Sequence, residues 1–240
     1  MSAPAPSSSN LDAVVVGAGL AGLYMLHKLR GLGLRARVFE AGDGIGGTWF
    51  WNRYPGARVD IESLEYSYQF SDELQQKWQW SERYATQGEL LRYVDHVADR
   101  YDLRRDITLN TRVESATYDE AVDGWAVATS GGERLSARFF VMATGCLSST
   151  NTPNFPGLES YPGAKFHTGN WPHQPVDFTG KRVAVIGTGS SAIQSIPIIA
   201  AQARQLFDFQ RTPNYSIPAH NGAIDPEVER RVKADYAGFR

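Results

Sequence analysis

Ala13-Val14-Val15-Val16-Gly17-Ala18-Gly19-Leu20-Ala21-Gly22 is the stretch whose reading decides the rest of this chain. Its apolar head reads as a short buried strand, and Leu20, Leu23, Leu26 and Leu29 mark one face of the helix that follows. Between strand and helix, Gly17 permits a tight turn, Gly19 lets backbone N–H groups approach a pyrophosphate, and Gly22 lets helix and strand pack closely. The positive end of the helix dipole favours the same anion. Glu40 closes the next strand, Arg37-Val38-Phe39-Glu40, about twenty residues on, where a carboxylate accepts from a ribose hydroxyl. Glycine spacing alone is weak evidence, since a purely structural turn of another α/β protein can share it; strand, helix and distal acid together make a dinucleotide site.

Composition bounds the alternatives. The chain has 240 residues and a formal charge of −2, enough length for one large core or two modest ones and no basic footprint for nucleic acid or an anionic membrane. Cys146 is the only cysteine, which excludes an intrachain disulfide, a thiolate-built metal cluster and a redox dithiol; we expect it to be a small buried thiol. No metal-ligand spacing is found. Residues 1–10 are rich in Ser, Ala and Pro, with neither a basic nor an apolar signal-peptide region, and read as a disordered tail. No later apolar run is long enough to span a bilayer, so the expected setting is cytoplasmic.

Outward from the first turn, the run from Gly42 to Asp60 is too irregular for a helix and too rich in Trp and Tyr for a solvated loop. Gln87 to Tyr101 has the period of a helix, with Leu90, Leu91, Val94, Val97, Ala98 and Tyr101 on one face. Ile107 to Val141 suggests a small antiparallel meander, broken at Asp123-Gly124 and Gly131-Gly132. Phe139 to Gly145 reads as a buried strand ending at a glycine, and Ser148 to Gly180 as a connection between two units.

Beyond that connection the opening pattern recurs. Arg182 to Ile186 is a strand, Gly187-Thr188-Gly189-Ser190-Ser191-Ala192 a second dinucleotide turn, and Ile193 to Ala203 an apolar helix that Pro197 should kink. Two such turns imply two nucleotides, or one nucleotide and one vestigial site. The strand Leu206 to Phe209 leads into Gln210-Arg211-Thr212, so a cation and a hydroxyl occupy the region where Glu40 sits in the first unit. An acid there repels a 2′-phosphate and an arginine accommodates it, which suits the first unit to FAD and the second to NADPH; the alternative is a surface arginine with no ligand. The fold expected is α/β, with two Rossmann-like dinucleotide-binding units. These are an FAD domain over 11–147 with its meander insertion, a linker over 148–180, and an incomplete NADP domain over 181–240.

At this point the residues resemble a known family. Gly46-Gly47-Thr48-Trp49, with Tyr54-Pro55-Gly56 and Asp60, is similar to the flavin-side signature of type I Baeyer–Villiger monooxygenases. Tyr161-Pro162-Gly163-Ala164-Lys165-Phe166-His167-Thr168-Gly169-Asn170-Trp171-Pro172 resembles the fingerprint joining their FAD and NADP domains, with Tyr161 where the family usually has Phe. Trp51 to Arg58 and Phe209 to Pro213 look most like members acting on phenylacetone and steroid ketones. Family members are more than twice this long, so the resemblance implies an amino-terminal portion that alone catalyses poorly.

The resemblance implies that NADPH reduces FAD and that a flavin C4a-peroxide then inserts one oxygen atom of O2 into a ketone, giving an ester or lactone. It makes Asp60 the partner of a flavin-facing arginine supplied by sequence beyond Arg240, against the alternative of a loop carboxylate capping Ile61 to Leu64. Gly47, Thr48 and Trp49 would lie on the flavin side. His167 reads as a packing or hydrogen-bonding residue, and Tyr161, Gly163, Trp171 and Pro172 as hinge anchors. Two alternatives stand: an NADPH-dependent flavin N- or S-oxygenase, and a non-catalytic module that binds FAD or NADP.

Overall fold

The computed structural model describes residues 9–239. The tail expected over 1–10 lies outside them except for Ser9 and Asn10, which already belong to the first strand. In chain order the elements are β1 Ser9–Val16, α1 Leu20–Gly31, β2 Ala36–Phe39, α2 Thr48–Trp51, α3 Asp72–Lys77 and α4 Gln87–Arg100. Strands β3 Ile107–Thr108, β4 Val113–Asp119, β5 Gly124–Thr129 and β6 Arg134–Met142 follow. The remainder are β7 Arg182–Ile186, α5 Ser190–Ala200, β8 Gln205–Phe209, α6 Pro226–Ala234 and α7 Tyr236–Phe239.

The chain divides into two compact units: one of the residues up to Trp51 with Val94–Ser149, the other of Asn52–Tyr93 with the residues from Thr150 onward. In the first, a six-stranded sheet has the order β3-β2-β1-β6-β5-β4. β1 pairs in parallel with β2, Val15 opposite Val38, and with β6, Val15 opposite Val141. Alternation along β1 sends its two faces to two cores. Ala13 and Val15 join Leu23, Leu26 and Leu29 of α1 with Val38, Val94 and Ala98, whereas Val14 joins Phe39, Val127, Leu135 and Ala137.

The meander is antiparallel as expected, but it is narrower than the sequence suggests. Ile107 and Thr108 pair in parallel with Val38 and Phe39 and so extend the main sheet. Only β4, β5 and β6 form the insertion. The run from Phe139 is no separate strand. It is the second half of β6, which pairs with β5 as far as Ala137 and with β1 along its length. Phe139 is 45% exposed and Met142 75%, against the expectation of burial, because only β1 flanks this half of the strand among the described residues.

In the second unit β7 and β8 form a two-stranded parallel sheet, Val185 opposite Asp208, and α5 connects them. Helix α5 continues through Pro197 to Ala200. A separate aromatic core gathers Trp78 and Trp80 around the buried ring of Tyr93, at 5.2 and 5.0 Å between centroids. The Tyr93 hydroxyl accepts from the backbone N–H of Tyr68 at 2.8 Å. The charged run from Asp225 breaks at Asp235 into α6 and α7, and α6 buries Val232. Lys233 Nζ then donates to the carbonyls of Gln76, at 3.0 Å, and Trp78, at 2.8 Å.

Candidate nucleotide-binding sites

The first glycine turn is closed on every side by backbone. Gly17 has φ +101°, a conformation open to few residues with a Cβ, and a methyl there would sit 2.6 Å from the Ala143 carbonyl at the end of β6. On Gly22 a methyl would run into the Gly17 carbonyl, so the helix and its own turn touch without an intervening side chain. Gly19 faces Gly47, whose φ is +54° and whose added Cβ would lie 2.8 Å from the Gly19 Cα. The Gly46 N–H donates to the Ala18 carbonyl at 2.9 Å. Gly19 and Gly47 are thus in direct backbone contact, an approach that a side chain on either would prevent.

Glu40 is 6% exposed and holds this turn in shape. One carboxylate oxygen accepts from the Ala18 N–H at 2.8 Å and the other from the Gly42 N–H at 2.9 Å. Thr48 and Trp49 open α2, the one helical turn in a stretch the sequence left irregular, and Trp49 and Phe50 are buried. Gly42 and Gly44 lie flat against the Phe50 ring, the reason glycine recurs through this loop.

Asp60 belongs to the second unit, where it is exposed and its carboxylate has no hydrogen bond or ion pair among the described residues. The capping alternative is not realised, since residues 61–64 form no helix and the Ser63 N–H donates to the Arg83 carbonyl at 2.8 Å. Cys146 is exposed, which corrects the expectation of a buried thiol. It follows Gly145, of φ +67°, just beyond the end of β6.

The second turn repeats the backbone of the first. Gly187 has φ +100°, its N–H donates to the Phe209 carbonyl at 2.9 Å, and the Ile193 N–H donates to the Gly189 carbonyl at 3.0 Å. The matching bonds of the first turn are Gly17 to Phe39 at 2.8 Å and Leu23 to Gly19 at 3.0 Å. This register makes Gln210, and not Arg211, the counterpart of Glu40. Gln210 Nε2 donates to the Thr188 hydroxyl at 2.8 Å, across the same separation of 22 residues as the bond from Ala18 to Glu40. Asn214 donates to the same hydroxyl at 3.2 Å. Arg211 and Thr212 lie next along the chain, exposed, on a cleft of about 370 Å³ with Gly187, Thr188 and Gly189 as floor and Phe155, Ile186 and Phe209 as apolar wall. Nothing lies within 4 Å of a methyl placed on Gly187 or Gly189. Ser190 and Ser191 form the first turn of α5, where a helix amino end presents unpaired N–H groups.

A wider depression in the first unit, about 740 Å³, is lined by Arg30, Arg35, Arg37 and Arg105. Each is paired with an acid, Asp102, Asp106, Asp12 or Glu133, so it offers no net charge to an anion.

In the linker, Gly163 packs on the Tyr161 ring, 2.6 Å from where its Cβ would stand. His167 Nδ1 accepts from the Gly169 N–H at 3.1 Å and closes a turn in which the Asn170 N–H donates to the His167 carbonyl. Trp171 meets Phe166 at 5.4 Å and Phe178 at 6.2 Å between centroids, and Pro172 follows half-buried.

Sequence reasoning passed over a cluster in the second unit. Gln194 on α5 receives the Tyr54 hydroxyl at 2.9 Å and the Arg58 N–H at 3.3 Å, while its Nε2 donates to the Arg58 carbonyl at 3.2 Å. The only signal available was Gly56 in a Tyr-Pro-Gly turn; its partner lies 140 residues away from Tyr54.

Comparison with known proteins follows this geometry. The family model for pyridine nucleotide-disulphide oxidoreductases matches residues 14–233. The chain is 45% identical to an acetone monooxygenase (methyl acetate-forming) of Gordonia sp. over 98% of its own length and 44% of that protein's. It is 47% identical to a phenazine N-monooxygenase of Lysobacter antibioticus over 95% of this chain and 42% of that one. A solved structure of an oxidized steroid monooxygenase bound to NADP superposes with a TM-score of 0.92 and 60% identity, over 96% of this chain and 44% of that one. The chain therefore spans less than half the length of these relatives. Among the described residues no helix is long and apolar enough to cross a membrane.

Proposed function

The chain belongs to the pyridine nucleotide-disulphide oxidoreductase family, and on that premise we propose that it is the dinucleotide-holding portion of an FAD- and NADPH-dependent Baeyer–Villiger monooxygenase. The observation that carries this reading is the pair of glycine turns of one backbone geometry, with the acid Glu40 closing the first and the neutral Gln210, followed on the cleft by Arg211, closing the second. With Cys146 as its single cysteine, the chain has no redox dithiol of its own.

On this reading the segment 11–147 holds FAD. Gly17, Gly19 and Gly22 admit its pyrophosphate, Glu40 keeps lone pairs for a ribose hydroxyl, and Gly47, Thr48 and Trp49 border the flavin side. The segment 181–240 holds NADPH. Gly187 to Ser191 cradle its pyrophosphate, and Arg211 with Thr212 receives the 2′-phosphate by charge-assisted hydrogen bonds. The linker over 148–180 joins them, with Tyr161, Gly163, His167, Trp171 and Pro172 as anchors. When bound, FAD supplies the transfer of electrons from NADPH to O2. Asp60 is an exposed carboxylate available to orient a cation in a site where one oxygen atom enters a ketone to give an ester or lactone. A cytoplasmic setting completes the reading.

Arg211→Ala tests it. A lost charge-assisted contact is worth about 1.5–3 kcal/mol, so the preference for NADP+ over NAD+ should fall roughly 10- to 100-fold. An unchanged preference overturns the assignment of the second site. The 47% identity to a phenazine N-monooxygenase favours a second reading, oxygenation of nitrogen. Product analysis with a cyclic ketone and a heteroaromatic amine separates them: a lactone supports the first, and an N-oxide alone the second.

A further inference from the structure

We propose that Gln194 is a positioning residue for the second dinucleotide, held by Tyr54 and Arg58 so that the amino end of α5 keeps its aim at the pyrophosphate. The inference rests on the reading of Gly187 to Ser191 as a nucleotide cradle. It adds to that cradle a device one helical turn further along α5, built from residues far away in sequence.

The primary amide of Gln194 binds Arg58 as a neighbouring strand would, accepting from its N–H at 3.3 Å and donating to its carbonyl at 3.2 Å, while the Tyr54 hydroxyl adds a third bond at 2.9 Å. One group that both donates and accepts is needed for this pattern, and among side chains of this length only an amide or a protonated carboxyl has it. Gly56, of φ +80°, brings the loop backbone onto the helix itself. A methyl there would strike the Gln194 carbonyl and lie 3.2 Å from Ile198.

The loop is braced in turn from behind. Arg58 pairs with Glu82 at 3.2 Å, and Glu82 also accepts from Asn221 at 2.6 Å, whose Oδ1 receives the Tyr84 N–H at 2.9 Å. Backbone bridges join Arg58 to Thr86 and Glu82 to Ala223. Gln194 stands about one helical turn beyond Ser190 and Ser191, so the clamp fixes the tilt and rotation of the turn that carries the phosphate-facing N–H groups. Helix amino ends act on anions only when their N–H groups converge on one point, so a small reorientation there weakens every contact together.

The test is titration of the purified chain with NADP+, alongside its FAD content and melting temperature. Gln194→Leu should weaken NADP+ binding about tenfold, with FAD content unchanged, and Tyr54→Phe about threefold, as expected for loss of two or three neutral hydrogen bonds and of one. Gln194→Glu gives the sharper readout. Ionised, it cannot donate to the Arg58 carbonyl; protonated, it restores the donor–acceptor pair. Its affinity relative to the original chain in the same buffers should therefore recover as the pH falls from about 6 to about 4, through the ordinary glutamate range. Variants that bind NADP+ as the original does overturn the proposal, and so does a loss of affinity that follows melting temperature with no recovery in acid. If the unaltered chain binds no NADP+, the underlying site assignment fails instead.

Discussion

The two glycine turns share a backbone and differ in everything around it. In the first, each glycine is pressed against another backbone segment, Ala143, Gly47 or Gly17 itself, and a buried carboxylate ties the turn from within. In the second, Gly187 and Gly189 face open space, alanine replaces the third glycine, and the charged tip is exposed on a cleft. Equal φ angles at Gly17 and Gly187 show that the turn geometry itself needs only one glycine of positive φ. The remaining glycines of the first turn answer to packing. Motif spacing therefore reports two distinct demands, and only neighbouring elements reveal which one applies.

Substitution at the third position should break this contrast most visibly. Gly22→Ala forces the Gly17 carbonyl aside and should cost about 3 kcal/mol, roughly 10 °C in the melting of the first unit, with loss of bound FAD. Ala192→Gly, its counterpart, should cost no more than about 1 kcal/mol, the entropic penalty of glycine in a helix. Equal effects at the two positions would erase the distinction.

Next in size is the tip acid. Glu40→Ala strands the N–H groups of Ala18 and Gly42 and should destabilise the first unit by about 2–3 kcal/mol. Chemical denaturation monitored by flavin release checks this. Arg211→Ala should leave melting unaltered and lower only the preference for the phosphorylated nucleotide, because its side chain is exposed. The smallest effect on stability falls on Gly189→Ala, which should stay within about 1 kcal/mol of the original since φ is −71° and the space is open. NADP+ affinity should nonetheless fall, because the added methyl occupies the cleft floor. Calorimetry on one sample reads both quantities.

What the sequence made legible was local. Strand periods, helix periods and glycine turns follow from short-range sterics, and α1, α4 and β7 stand where those rules put them, whereas β1 begins four residues earlier than expected and α5 runs Ser190–Ala200 instead of 193–203. The sheet edge was harder, because Ile107 and Thr108 look like meander residues until β2 is seen beside them. Burial was misjudged at Phe139, Met142 and Cys146, where an apolar sequence says nothing about which strands flank it. Lys233 docking on the carboxyl end of α3 at Trp78 and the Tyr54–Gln194 pair join residues 155 and 140 apart, and no local pattern announces such closures. In the candidate sites the two glycine turns and the acid that closes the first were readable from spacing. That Gln210 is the true counterpart of Glu40 emerged only from the paired backbone bonds at Phe39 and Phe209.

The most direct test of the account is calorimetric titration of the purified chain, first with FAD to saturation and then with NADP+. Two independent sites of one ligand each, with NADP+ binding undiminished by bound FAD, are what an acid-tipped and a base-tipped turn predict. A single site for which FAD and NADP+ compete would contradict it.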